Sequence, residues 1–178
     1  MNNTYRVSVI GTGRSLSIVR RLSTEIAQEG CDLVAISTQT LGDHFGIMMV
    51  IDTEATSSEL RGYLDPIVEK YDLSLTVDAV AAFKFCHKFP DVSIHVHGAD
   101  KIGVFSYCMA IFNDAGLEVL SMHSDLLGKV KEDGEDEFLN VIKGRATEGL
   151  EELQRAAENL RNNSIDVSIT VIEEEDEE

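Results

Sequence analysis

The chain has 178 residues, of which 43% are hydrophobic and 26% charged, and its formal net charge at pH 7 is −17. This length and apolar content suffice for one large domain or two small ones with buried cores. Because so negative a chain repels nucleic-acid phosphates, we expect no direct binding to DNA or RNA.

The N-terminal sequence and the cysteines indicate a cytoplasmic protein. Residues 1–6 enter a predicted strand without the features of a signal peptide, and no apolar run approaches the ~20 residues that span a bilayer. Cys31, Cys86 and Cys108 are an odd set without CxxC spacing. A disulfide framework is therefore not expected, and a reducing compartment fits.

In the first half, apolar periodicity predicts a strand, a helix, two strands, a helix and a strand. The predicted segments are 5–10, 16–28, 33–40, 45–51, a helix that starts after 56–59, and 73–77. Gly30 is placed to cap the first helix, and Thr56-Ser57-Ser58-Glu59 offers N-caps and an acidic residue for the start of the second. Pro66 lies inside the second helix and predicts a kink or an early end there.

The second half repeats this order of elements. Its predicted segments are 92–96, 104–112, 119–127, 138–142, 150–160 and 165–171, with a polar loop at 128–135. The apolar stripe of its first helix comprises Val104, Phe105, Cys108, Ile111 and Phe112. The last strand alternates through Ile165, Val167, Ile169 and Val171.

Two β-α-β-β-α-β units of roughly 85 residues predict an α+β protein with two ferredoxin-like domains. Each would be a four-stranded antiparallel sheet with two helices on one face. We expect domains at 1–80 and 91–172, an apolar connector at 81–90, and an acidic, disordered tail at 173–178. Junctions between domains are common places for small ligands.

The loop Gly98-Ala99-Asp100-Lys101-Ile102-Gly103 lies between a predicted strand and helix. Glycine at a helix start lets backbone N–H groups approach an anion such as a carboxylate. From the residues alone, an ordinary tight turn is favoured over a ligand loop. The corresponding Gly11-Thr12-Gly13-Arg14-Ser15 lacks the third glycine and the parallel unit of a dinucleotide site.

Three histidines form the one candidate metal set. His95 and His97 are two apart on a strand and share a sheet face, and His123 belongs to the adjoining hairpin. Polar residues on an open face are the favoured interpretation, and we expect no metal and no other cofactor.

Catalytic machinery is not visible in the sequence. No serine lies in a Gly-x-Ser-x-Gly motif. Cys31 and Cys108 fit core positions, which leaves Cys86 beside His87 as the single candidate for a reactive thiol. Met48 and Met49 fit a buried strand.

The chain resembles tandem ACT-domain proteins. The segment from Gly98 to Val104, with Gly116 opening a strand eighteen residues after Gly98, is similar to the first loop and second strand of an ACT domain. Gly30-Cys31-Asp32-Leu33 is similar to the same strand start in the first half. Leu41-Gly42-Asp43-His44-Phe45 resembles the hairpin of the glycine cleavage system transcriptional repressor family, which consists of two ACT domains.

The resemblance implies a ligand site built from loops and strand starts. The loop backbone at Asp100, Lys101, Ile102, Gly103 and Val104 would take the carboxylate of an amino acid, with Gly11 and Thr12 in the corresponding first loop. Asp32 or Glu118 would take its ammonium group. Both stand where many members carry asparagine, and the first loop departs from the family pattern at residues 13–16.

The resemblance also implies a function. It is that of a non-enzymatic regulator that responds to an amino acid such as glycine at the junction of its units. Such a regulator need not contact DNA itself. A protein partner such as a transcriptional activator, and a homodimer, are expected. Two alternatives stay open: an assembly module with a degenerate ligand site, and a metal-dependent protein using His95, His97 and His123. The acidity also fits a high-salt source.

Overall fold

The structure is a computed structural model that describes residues 3–81, 88–129 and 136–172. The chain divides into two compact units, Met1–Phe85 and Cys86–Glu178. The first contains β1 (Asn3–Thr12), α1 (Ser15–Gln28), β2 (Asp32–Leu41), β3 (His44–Thr53), α2 (Ser57–Lys70) and β4 (Ser74–Val80). The second contains β5 (Val92–Ala99), α3 (Val104–Asp114), β6 (Leu117–Lys129), β7 (Asp136–Ala146), α4 (Leu150–Asn162) and β8 (Asp166–Val171).

Each unit is a four-stranded antiparallel sheet with two helices, as the repeated pattern predicts. The strand orders are β2-β3-β1-β4 and β6-β7-β5-β8, so the first strand of each unit is central. Alternate residues of these central strands are buried, among them Val7, Val9, Ile94 and Val96. The ferredoxin-like arrangement is confirmed in both halves.

Helix α1 follows the predicted apolar stripe and ends at the predicted glycine. Ile18, Leu22 and Ile26 are its buried residues. Gly30 has a φ of 68°, its N–H donates to the Ala27 carbonyl, and the next N–H donates to the Ile26 carbonyl. These two bonds form a Schellman motif, which needs a residue in the left-handed region and therefore favours glycine.

Helix α2 begins with a complete capping box. The backbone N–H of Thr56 donates to the Glu59 carboxylate, and the Thr56 hydroxyl accepts from the Glu59 N–H. The backbone N–H and the hydroxyl of Thr56 both donate to the Glu59 carboxylate, and these two bonds lower the pKa of Glu59. The predicted early end at Pro66 is wrong, because α2 continues to Lys70. Burial of Leu64 before the proline and packing of Ile67 after it against the core outweigh the lost hydrogen bond.

Several other local predictions are corrected. Gly11 and Thr12 belong to β1 and not to the loop, whereas Leu73 precedes β4. Phe105 and Val171 are exposed, although both were predicted in apolar stripes, and Met48 is exposed, although it was predicted to be a core residue. Phe105 lies at the margin of the α3 stripe, beside the buried Cys108, and Val171 ends an edge strand that pairs with β5 alone.

Some predictions lie outside the described residues. They concern residues 82–87 of the connector, residues 130–135 of the polar loop and the acidic segment 173–178. Within the described ranges, no helix is both long and apolar enough to cross a membrane.

Two strand glycines allow a matched test of packing. A Cβ at Gly144 of β7 would lie 2.4 Å from the Glu118 carbonyl oxygen, whereas a Cβ at Gly46 of β3 would meet no atom within 4 Å. Neither residue has a positive φ. We expect Gly144→Ala to lower the free energy of unfolding by about 1–3 kcal/mol, because the backbone of β6 must move.

Gly46→Ala is the control for this change in urea unfolding. It should be neutral or slightly stabilising, since the added methyl group reduces the entropy of the unfolded chain. Equal effects of the two substitutions would show that the close approach of β6 to Gly144 does not limit stability.

Candidate functional site

The loop of the second unit, Asp100 to Gly103, is anchored to the sheet at one end and to α3 at the other. The Asp100 N–H donates to the Asp136 carbonyl at 2.7 Å, and the Val104 N–H donates to the Lys101 carbonyl at 3.1 Å. Gly103 is the residue before α3 and has a φ of 89°. Glycine is required here by the backbone conformation itself, and not by crowding, since a Cβ would meet open space.

The start of α3 offers donors and an apolar side chain. Among the described residues, the N–H groups of Phe105 and Ser106 find no hydrogen-bond partner, as is usual in a first helical turn. Within the described ranges, no side chain caps this helix end. The side chain of Ile102 is completely exposed beside these groups. The loop can therefore accept a small anion that also carries an apolar part.

The corresponding loop of the first unit is built differently. A Cβ at Gly11 would lie 2.4 Å from Leu73 and 2.9 Å from Phe45. Core packing thus accounts for this glycine. Thr12 is exposed at the end of β1, and the Gly13 N–H donates to the Asp43 carbonyl at 2.8 Å.

Glu118 of β6 already has a cationic partner. Its carboxylate forms an ion pair with the Lys88 ammonium group, and Arg145 of β7 stands opposite it in the strand register. The two side chains of the ion pair are 43% and 33% exposed. An incoming ammonium group would have to displace Lys88.

Asp32 of β2, unlike Glu118, has an acidic neighbour. It is exposed and stands directly opposite Asp52 of β3 in the strand register. Asp52 accepts a hydrogen bond of 2.6 Å from the Thr4 hydroxyl. Like charges across two strands destabilise each other, so a cation between them would be favourable.

Loop and carboxylate lie at opposite ends of each sheet. In the second unit, Ala99 at the end of β5 lies in the same row across the sheet as the last residues of β6. Val92 at the start of β5 lies opposite Gly144 of β7, which lies opposite Val119, the residue after Glu118. The seven residue steps of β5 between these rows span about 23 Å. In the first unit Thr12 and the Asp32–Asp52 row are likewise at opposite ends. One small ligand therefore cannot touch both groups of the same unit.

The histidines lie on the sheet face that the helices leave open. His97 Nε2 is 2.7 Å from Glu137 Oε2, and His123 Nε2 is 3.0 Å from Asp125 Oδ2. His95 and His123 stand opposite Val141 on either side, so their backbones are two strands, about 10 Å, apart. Within the described residues, no three His, Cys, Asp or Glu side chains are placed to hold a metal ion.

The described cysteines are core residues. Cys31 is buried, with its Sγ 3.1 Å from the Thr53 hydroxyl, and Cys108 is completely buried in α3. Burial raises the pKa of the Cys108 thiol, which makes it a poor nucleophile. Cys86 and His87 lie outside the described residues.

Comparison with solved structures shows which fold this is. A protein provisionally described as a glycine cleavage system transcriptional repressor superposes with a TM-score of 0.70 at 16% identity, over 97% of this chain and 99% of that one. The chain has the fold of a tandem ACT-domain protein. An unknown protein from Galdieria sulphuraria gives a TM-score of 0.73 at 15% identity, over 97% of this chain and all of that one.

Sequence comparison matches a smaller part of the chain than structure comparison does. No family model matches the chain. A curated relative, the dual-specificity RNA methyltransferase RlmN of Hyphomonas neptunium, is 34% identical over 77 residues. That match covers 43% of this chain and only 19% of the methyltransferase.

Sequence reasoning missed the groups that face the two carboxylates. Lys88 lies in the predicted connector, and nothing in the local pattern indicates that it reaches Glu118. Asp52 and Arg145 were not considered either, although a register drawn from the alternating residues of each hairpin could have placed them opposite Asp32 and Glu118. These neighbours make the surroundings of the two carboxylates different: Asp32 faces another acidic residue, whereas Glu118 lies beside two basic residues.

The Lys88–Glu118 ion pair can be measured by a double-mutant cycle. We expect Lys88→Met and Glu118→Gln to show a coupling free energy of about 0.2–1 kcal/mol in urea unfolding at low salt, because both groups are partly exposed. The coupling should vanish in 1 M NaCl. Coupling energies of zero at every salt concentration would show that Glu118 is free to bind another cation.

Proposed function

We propose that this protein is a non-enzymatic regulator that binds an amino acid, such as glycine, and acts on transcription or metabolism through a protein partner. The observation that carries the proposal is that the similarity in fold covers nearly the whole chain. Two ACT units account for 97% of the chain in the comparison with the glycine cleavage repressor structure. Fold alone does not define activity, so the argument continues from the site.

The amino acid is proposed to bind through parts of two ACT units. The free N–H groups at the start of α3 suit its carboxylate, and the positive end of the helix dipole adds to this attraction. Its ammonium group needs an acidic side chain. Since the loop and the strand-start carboxylate of one unit are at opposite ends of the sheet, a single unit cannot supply both contacts.

Asp32 is the better partner for the ammonium group. It faces Asp52, and a bound cation would relieve the repulsion between these carboxylates. Glu118 would exchange one cation for another, because Lys88 already pairs with it. We therefore assign the ammonium contact to Asp32 and the carboxylate contact to the loop from Asp100 to Val104.

The regulatory output is proposed to be a change in affinity for a partner protein. A ligand shifts such an equilibrium only if it binds one state better than the other. With a net charge of −17, the chain suits a basic partner such as a transcriptional activator better than it suits DNA. A homodimer would bring further copies of both contacts together.

An assembly module without a ligand is the second candidate. Two observations favour it: Gly11 is explained by packing against Phe45 and Leu73, and Glu118 is neutralised within its own unit. Such a module would form stable oligomers whose melting temperature does not respond to any amino acid.

A thermal-shift screen of the twenty amino acids at millimolar concentration tests the proposal. A ligand at 100 times its dissociation constant should add about 2.7 kcal/mol of stability, which raises the melting temperature of a chain this size by several degrees. We expect glycine or a related small amino acid to give the largest shift. No shift with any amino acid would favour the assembly module.

Site variants locate the response within the chain. Asp32→Asn should abolish the shift, because a neutral amide loses the charge attraction to an ammonium group. Asp43→Asn removes the same charge in the hairpin turn at the other end of the sheet and serves as the matched control. Substitution of Gly103 is a poor probe, since its φ of 89° would strain any other residue. A shift that survives Asp32→Asn contradicts the assignment.

A further inference from the structure

The first unit contains a cationic cleft between α1 and α2. It has a volume of about 300 Å³, near the lower limit of small-molecule sites. Its lining comprises Arg20, Arg21, Thr24, Glu25, Pro66, Ile67, Lys70 and Tyr71. Three cations and one carboxylate thus face a small space, in a chain with 32 acidic and 15 basic residues.

Two of the three cations of this cleft contact an aromatic ring. The Arg21 guanidinium carbon is 5.2 Å from the centroid of Tyr71, and the Lys70 ammonium nitrogen is 5.7 Å from it. Within the part of the chain that the structure describes, Arg20, Arg21 and Lys70 form no ion pair with a carboxylate. Two like charges beside one ring repel each other, and an anion between them would remove that repulsion.

The cluster is not a consequence of the repeat. When the buried Leu22 and Ile26 of α1 are aligned with the buried Cys108 and Phe112 of α3, Ser106 and Tyr107 stand in place of Arg20 and Arg21. In the helix that follows, Asn162 ends α4 where Lys70 ends α2. The second unit, with the same fold, therefore lacks all three cations.

The charge at Lys70 alone has a structural explanation, since cations are favourable at helix C-termini. Arg20 and Arg21 have no such explanation, because they lie in the middle of α1. Their guanidinium groups are planar forks that match phosphate and carboxylate oxygens. Pro66, Ile67 and Tyr71 add an apolar wall beside these groups.

We propose that this cleft binds a small phosphorylated metabolite. Arg20 and Arg21 contact its phosphate oxygens, Lys70 supplies a third positive charge, and the apolar wall contacts the organic part. The site is separate from the amino-acid contacts proposed above, so neither proposal depends on the other.

Isothermal titration of the full chain with inorganic pyrophosphate at low ionic strength is the test. We expect saturable binding that weakens steeply as salt is added, because opposite charges attract less at high ionic strength. Arg20→Gln and Arg21→Gln should each raise the dissociation constant by about tenfold or more, as each removes charge-assisted hydrogen bonds. Glutamine keeps the helix propensity of these positions nearly unchanged.

Arg155→Gln provides the matched control. Arg155 is an exposed helical arginine of the second unit that pairs with Glu152 at 2.6 Å. Its loss should change the dissociation constant by less than about twofold, although the net charge changes equally. If Arg21→Gln does not fold, because the contact with Tyr71 is lost, Arg20→Gln still decides the question, since no contact of Arg20 with the ring is involved.

Three results would overturn the proposal. They are no binding of pyrophosphate, equal losses in the Arg20 and Arg155 variants, and binding of citrate as tight as that of pyrophosphate. The last result would assign the cleft to anions in general and not to phosphate. The amino-acid response should be unchanged in Arg20→Gln, which keeps the outcome for this cleft distinct from that for the regulator.

Discussion

The structure depends on one constraint: each sheet must bury a single face beneath two helices. In a βαββαβ unit, the first helix returns the chain along the sheet before the second strand begins, so the loop before the helix and the strand after it are at opposite ends. Asp100 and Glu118 are separated for this reason, and so are Thr12 and Asp32. A small ligand therefore cannot contact both the helix start and the strand-start carboxylate of one unit.

The two units share a fold but differ in how their charges are compensated. In the first, Asp32 faces another carboxylate and three cations of the α1–α2 cleft have no acidic partner among the described residues. In the second, Glu118 is paired with Lys88, and His97 and His123 each contact a carboxylate. Uncompensated charge costs stability, and it is retained most readily where a ligand supplies the missing partner.

Local sequence signals succeeded where the cause is itself local. Gly30 supplies the positive φ of a Schellman motif, and Thr56 with Glu59 forms a capping box, so both helix boundaries could be predicted from a few neighbouring residues. Pro66 shows the limit of such reasoning. Its local effect is unfavourable, but the buried Leu64 before it and Ile67 after it, which packs against the core, hold α2 together. The exposed Phe105 is the converse case, because an apolar residue at the margin of a stripe is covered only if a neighbouring element is present.

The sequence by itself determined the order of elements, the two-unit organisation, the faces of the central strands and the loops at which ligands are expected. These follow from periodicity and turn chemistry, which act over a few residues. Only the tertiary structure decided which charges meet: Asp32 with Asp52, Glu118 with Lys88, and Arg21 and Lys70 with Tyr71. Such pairs join residues 20 to 50 positions apart in most cases, and strand register and helix packing bring them together. The physical reason is that side-chain electrostatics depend on distance in space, which the spacing along the chain does not contain.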